Sequence, residues 1–184
     1  MFLPQLALAH SPIKGIGYFL NGMLHPLLVP AQIIVIIALG LFFGQHKPAE
    51  NKLSMLIFLM ATIVGLIYTL FFIAPDVFIL LLVIATFIGL LLISGFTIPP
   101  ILFVLLAVVV GVLVGLDSSQ EGLGNKETIV SLFGSGVGIY FLMLYSMALS
   151  ETLSNKHWQI IAVRVIASWL SASAMMVLAL SFSH

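Results

Sequence analysis

Residues Ala74–Pro100 read APDVFILLLVIATFIGLLLISGFTIPP, an apolar run from Val77 to Ser94 without a single charge, bounded by Pro75 and Asp76 before it and by Gly95, Pro99 and Pro100 after it. At about 1.5 Å per helical residue, a run of this length comes close to the ~30 Å hydrocarbon core of a bilayer. No water is available there to satisfy main-chain N–H and C=O groups, so each run must satisfy its own, as an α-helix does. The pattern recurs on both sides. Apolar spans lie at about Pro26–Phe43, Leu53–Ile73, Val77–Ser94, Ile98–Leu116, Thr128–Leu149 and Trp158–Phe182. The sequence therefore predicts an all-α fold: a polytopic membrane helical bundle of about six transmembrane helices.

The turns are short. Pro75 cannot continue the second span, and Pro99 and Pro100 separate the third from the fourth, so these spans are expected to pack as consecutive antiparallel neighbours. A single membrane domain covers 1–184. Within it, 1–14 read as a signal-like or interfacial start, 15–24 as a half-helix at the interface, joined at His25-Pro26 to the bundle over 26–182. Pro26 and Pro30 suit the first turn of the first full span.

Composition excludes several classes of chemistry. The chain is 62% apolar and 7% charged, which leaves few polar atoms for catalysis. Without cysteine there are no disulfides, thiolate metal sites or thiol nucleophiles. Six basic residues balance six acidic ones, and no basic stripe is present to neutralise phosphates, so a nucleic-acid partner is not expected. Ser131, Ser135, Ser146, Ser168, Ser171 and Ser173 have no histidine and acid in register, and no enzyme is expected.

Lys47, Lys52 and Lys156, with Arg164 in reach, fall on one side of the alternating loops, and Lys14 and Lys126 on the other. This bias points the first group to the cytoplasm and both termini outside, in a plasma (inner) membrane. Whatever the sign, His25, Asp76, Asp117, Glu121 and Glu127 gather on one face. Asp117 and Glu121 are four apart; if the fourth helix continues past Leu116 they share a face, where a cation relieves their repulsion. The alternative is a solvated loop. His25 adds an imidazole, a good ligand for nickel, cobalt, copper or zinc, unless it merely bonds a nearby carbonyl or water. His25, Asp117 and Glu121 are thus the candidate metal ligands. Glu127, at the start of the fifth span, also suits the positive end of a helix dipole.

Gly40 and Gly44, Gly111 and Gly115, and Gly134 and Gly138, the last pair joined by Gly136, have the G-x-x-x-G spacing that permits close helix contact, within the bundle or between protomers. Arg164, inside the last span, is expected to snorkel to the headgroups or pair with Glu151.

The run GIGYFLNGMLHPLL at Gly15–Leu28, leading into ALGLFFGQ at Ala38–Gln45, resembles the opening of the HupE/UreJ family, and Arg164–Leu180 is similar to its closing segment. The resemblance implies a small membrane protein associated with hydrogenase and urease gene sets and acting as a nickel or cobalt permease. The family pattern H-P-x-x-G-x-D-H reads here His25-Pro26-Leu27-Leu28-Val29-Pro30-Ala31-Gln32, so His25 alone is carried over. The second pattern, H-G-x-A-H-G, has no counterpart; Val114–Glu121 offers carboxylates in its place. Two readings follow. One is transport or binding of a divalent transition-metal ion from the outer face. The other is a non-transporting accessory subunit that docks, through its glycine faces, as a homo-oligomer or within a larger membrane complex. The lipid bilayer is a partner in both.

Overall fold

The computed structural model describes residues 15–45, 48–96, 98–120, 122–154 and 156–182. The signal-like start, Lys47 and Glu121 lie outside the described residues. Within them the chain is entirely helical: α1 Tyr18–Leu28, α2 Pro30–Gly44, α3 Pro48–Phe71, α4 Phe78–Ser94, α5 Pro100–Leu116, α6 Asn125–Thr152 and α7 His157–Ser181. By length and composition, the stretch of α3 from Lys52, together with α6 and α7, can each cross a membrane. The bent pair α1 and α2 makes a fourth candidate, and α4 and α5 are shorter apolar helices.

The first break lies four residues later than the sequence predicts. Pro26 forfeits the hydrogen bond to Gly22 but stays inside α1. Val29 is extended (φ −91°, ψ 111°), as a residue before proline prefers, and Pro30 opens α2. The axes meet at 73°. Because Pro26 and Pro30 lack N–H groups, the carbonyls of Gly22 and Pro26 lose their helical donors, and main-chain acceptors collect around the break.

Twelve of the fifteen residues of α2 are buried, which makes it the central helix. A helix apolar on every side has no face to give to lipid or water when neighbours surround it. α6 packs along both halves of the bent pair, α3 along α5, and α4 along α7 and α2. The expected packing of consecutive neighbours is not what forms: α4 and α5 touch at few points, and α3 and α4 at fewer still.

Small residues decide these pairings. Lipid tails are as apolar as leucine, so helices gain by packing closely rather than by leaving water. A Cβ added to Gly40 would stand 2.6 Å from Ser146 Cβ, and one on Gly44 2.7 Å from Ser150 Cβ, so α2 lies directly on α6. Ser150 Oγ donates to Leu41 O at 2.7 Å across this seam. At α5, a Cβ on Gly111 would meet Phe58 O at 2.7 Å, and one on Gly115 would meet Gly65 Cα of α3 at 2.9 Å. Gly134 and Gly138 abut the backbone of Phe19 and Met23 in α1. The spacing rule did not mark Gly22, against Ser131, or Gly89, against Ser171, yet both serve the same purpose. Gly136 differs, since an added Cβ meets only Leu66 Cδ1, at 3.1 Å.

The contact order along α6 gives directions. Phe19 and Met23 face Gly134 and Gly138, and Gly40 and Gly44 face Ser146 and Ser150, so α1 and α2, each inclined to it, progress along α6 in the same sense. Counted as one crossing, the pair brings Gly15 and Phe182 to the face that carries Asp76, Asp117 and Glu127. Arg164 does not simply reach for headgroups: its guanidinium lies against Gly95, the left-handed residue (φ +68°) that ends α4. A cation there faces the negative end of the α4 dipole.

Gly138→Leu is expected to overpack α6 against the α1 backbone and cost about 1–3 kcal/mol or more, whereas Gly136→Leu displaces one flexible methyl and costs less. Thermal unfolding of the two purified variants in detergent checks the order; equal midpoints would refute it.

Candidate functional site

α1 ends, and α2 begins, beside the C-terminus of α5. Asp117 caps α5 in αR conformation, its N–H bonded to Leu113 O at 3.0 Å, and the chain turns away at Ser118, whose N–H bonds to Gly115 O at 3.3 Å. Helix α5 therefore stops at Leu116, so it does not supply the continued helix on which a shared face of Asp117 and Glu121 depended. Gly115 lies flat on α3, and the residues after Asp117 form a turn and loop rather than another helical turn. Glu121, the second member of that pair, is outside the described residues.

His25 and Asp117, ninety-two positions apart, do converge. His25 Nε2 lies 3.3 Å from Asp117 O. From the other side of the break, Gln32 Nε2 donates to the same oxygen at 3.0 Å and to Asp117 Oδ2 at 2.8 Å. All three are buried, with exposures of 3% for His25, 0% for Gln32 and 7% for Asp117. A carboxylate is disfavoured at the negative end of α5 and favoured at the positive end of α2, so Gln32 in the first turn of α2 supplies what the local helix does not. Gln32 Oε1 is buried and has no hydrogen-bond partner. It is a spare acceptor in the same cluster as a carboxylate and an imidazole.

Around this centre the polar groups hold the same end of the bundle together. Gln120 Oε1 accepts from Ser131 Oγ at 2.8 Å, tying the α5–α6 loop to α6. Glu127 accepts from Gly124 N–H at 3.0 Å and from the Tyr18 hydroxyl, so the acid in the first turn of α6 caps its own helix and holds the start of α1. Asp76 caps α4 through the Phe78 N–H at 3.0 Å and stands apart from the buried cluster. Among the described residues, no three His, Asp or Glu side chains converge as a metal-holding group. What the geometry can offer a cation is mixed: imidazole nitrogen, carboxylate oxygen and amide oxygen.

The model of the family described as HupE / UreJ protein matches residues 1–180. The chain belongs to the HupE/UreJ family. It is thus an integral membrane protein of a permease-like or accessory family linked to nickel and cobalt uptake. No curated protein and no solved structure matches it. Within this HupE/UreJ chain, Gln32 is the site residue that sequence reasoning passed over. Its spacing gave no signal, since His25 and Gln32 reach one oxygen only because the chain bends by 73° between them.

Gln32→Leu keeps much of the side-chain volume but deprives Asp117 of both donated bonds. Removing a donor from a buried charged acceptor costs about 1–3 kcal/mol. A double-mutant cycle with Asp117→Asn, read by thermal unfolding, should give a coupling energy well above zero. Strict additivity would mean that the pair contributes nothing.

Proposed function

We propose that this HupE/UreJ protein moves a divalent transition-metal ion of the nickel or cobalt class across the plasma membrane, taking it in from the face that carries Asp117. The convergence of His25, Gln32 and Asp117 on a helix break carries this reading. Discontinuous helices inside a membrane place main-chain acceptors and helix ends where a partly dehydrated ion can use them. Borderline divalent ions accept imidazole together with carboxylate and amide oxygen. Glu121, four residues beyond Asp117 in the same loop, is proposed as the second carboxylate. Such a set binds weakly, which suits a site that must release its cargo.

The Asp117 carboxylate, already engaged by Gln32, favours a second reading. In it, the cluster only locks the break, and the protein is a non-transporting subunit of a larger membrane assembly or a homo-oligomer.

Uptake of radioactive nickel and cobalt by cells or proteoliposomes separates the two. Transport predicts that His25→Ala and Asp117→Asn each lower uptake at least tenfold while membrane abundance and gel-filtration profile stay as in the wild type. Unchanged uptake in both variants would assign the second reading.

The proposed orientation puts both termini and the loop Asp117–Glu127 outside, on the Lys and Arg bias. Because the chain has no cysteine, Lys126→Cys and Ser154→Cys are clean probes. Lys126→Cys should react with an impermeant maleimide in intact cells, and Ser154→Cys only after permeabilisation. The opposite pattern would invert the orientation.

A further inference from the structure

A groove runs between α3 and α6, and its chemistry changes along its length. Its deep part has a volume of about 430 Å³ and is lined by apolar side chains, among them Ile63, Leu66, Phe133 and Tyr140, with Gly136 as the gap in the α6 wall. A second part, about 240 Å³, shares Ile63, Leu66 and Phe133 with the first and continues to Leu70 and Ile129. Leu70 and Ile129 in turn border a cleft of about 490 Å³ whose walls include Thr69, Gln120, Asn125 and Thr128. From Asn125 to Tyr140 the groove follows α6 for about 22 Å, somewhat more than the ~15 Å of hydrocarbon in one leaflet.

The polar end is built from amide and hydroxyl groups. Gln120 uses its Oε1 to accept from Ser131, which turns its amide NH2 to other acceptors, and Asn125 supplies a second amide. Lys126, the next residue along α6, is exposed but does not line the cleft itself. No acid is among the described residues that line the cleft, and Glu127 is held by Tyr18 and Gly124 on the α1 side of the helix. The groove then suits an occupant with a long apolar tail and a polar head about one leaflet apart.

We propose that the α3–α6 groove is a phospholipid site, in which one acyl chain lies against Ile63, Leu66, Phe133 and Gly136 while the phosphate headgroup rests at Gln120 and Asn125, where the exposed Lys126 that follows Asn125 in the chain supplies the cation. The bulk bilayer offers the tail equally apolar surroundings, so selection comes from close packing in the groove and from the headgroup contacts.

Native mass spectrometry of the full chain, released from its membrane in mild detergent, reads the occupant by mass. The wild type should retain one phospholipid. Gly136→Trp from the α6 wall and Ile63→Trp from the α3 wall each fill the deep part and should lower the retained fraction about tenfold. Val165→Trp, on an exposed position of α7, should leave it unchanged. In exchange with vesicles, the wild type should prefer phosphatidylglycerol to phosphatidylcholine, and Lys126→Glu should remove that preference. No retained lipid in the wild type, a retained mass that is not a phospholipid, or retention as high as the wild type in both groove-filled variants would overturn the proposal. An unchanged headgroup preference in Lys126→Glu would overturn the headgroup placement. None of these results depends on metal transport.

Discussion

Backbone-to-backbone approach at small residues is the constraint on which the other features of this bundle rest. In water, an apolar helix face finds a partner because both faces leave solvent; in lipid that difference vanishes, and what remains is how many atoms come within dispersion range. Gly111 and Gly115 bring α5 onto Gly65 of α3, Gly40 and Gly44 bring α2 onto α6, and Gly89 brings α4 onto Ser171 of α7. These seams fix where α5 ends relative to α2, and hence that Asp117 arrives at the break rather than in the bulk aqueous loop. A polar site with three side chains is positioned by contacts that are themselves almost wholly apolar.

Much of this was legible in the sequence, and the exceptions have physical causes. Apolar run lengths and proline positions marked every helix, because hydrocarbon admits so few other structures. The G-x-x-x-G spacings marked seams but not partners: a glycine shows that something comes close, and only the fold shows what. Consecutive packing was a poor guide because short turns constrain the ends of helices and leave their faces free to choose. Val29 rather than His25-Pro26 became the break because the residue before Pro30 must be extended, whereas Pro26 loses one bond and can remain helical.

The site was half legible. Loop parity placed His25 and Asp117 on one face, and they meet. The helical premise of the carboxylate pair did not hold, because α5 ends at Leu116 against α3, while Glu121 itself lies outside the described residues. Gln32 looked like the loss of a ligand when compared with the family pattern. In three dimensions it is the side chain that holds the Asp117 carboxylate and leaves an amide oxygen over, so a substitution that reads as degeneration supplies a donor and an acceptor at once.

The bent pair also bears on how the chain is made. α1 and α2 have eleven and fifteen residues, too few for either to span the bilayer alone, and both rest on α6. Met23 and its seat at Gly138 are more than a hundred residues apart, so at about 5–20 residues per second the ribosome needs roughly 5–20 s to deliver α6 after α1 has emerged. During that interval the first segment has neither its packing surface nor Asp117 to accept from Gln32. The bent pair is therefore synthesised before the surface it rests on and is among the last parts of the bundle completed, so a kinked segment of polar and apolar groups waits for its partner to arrive.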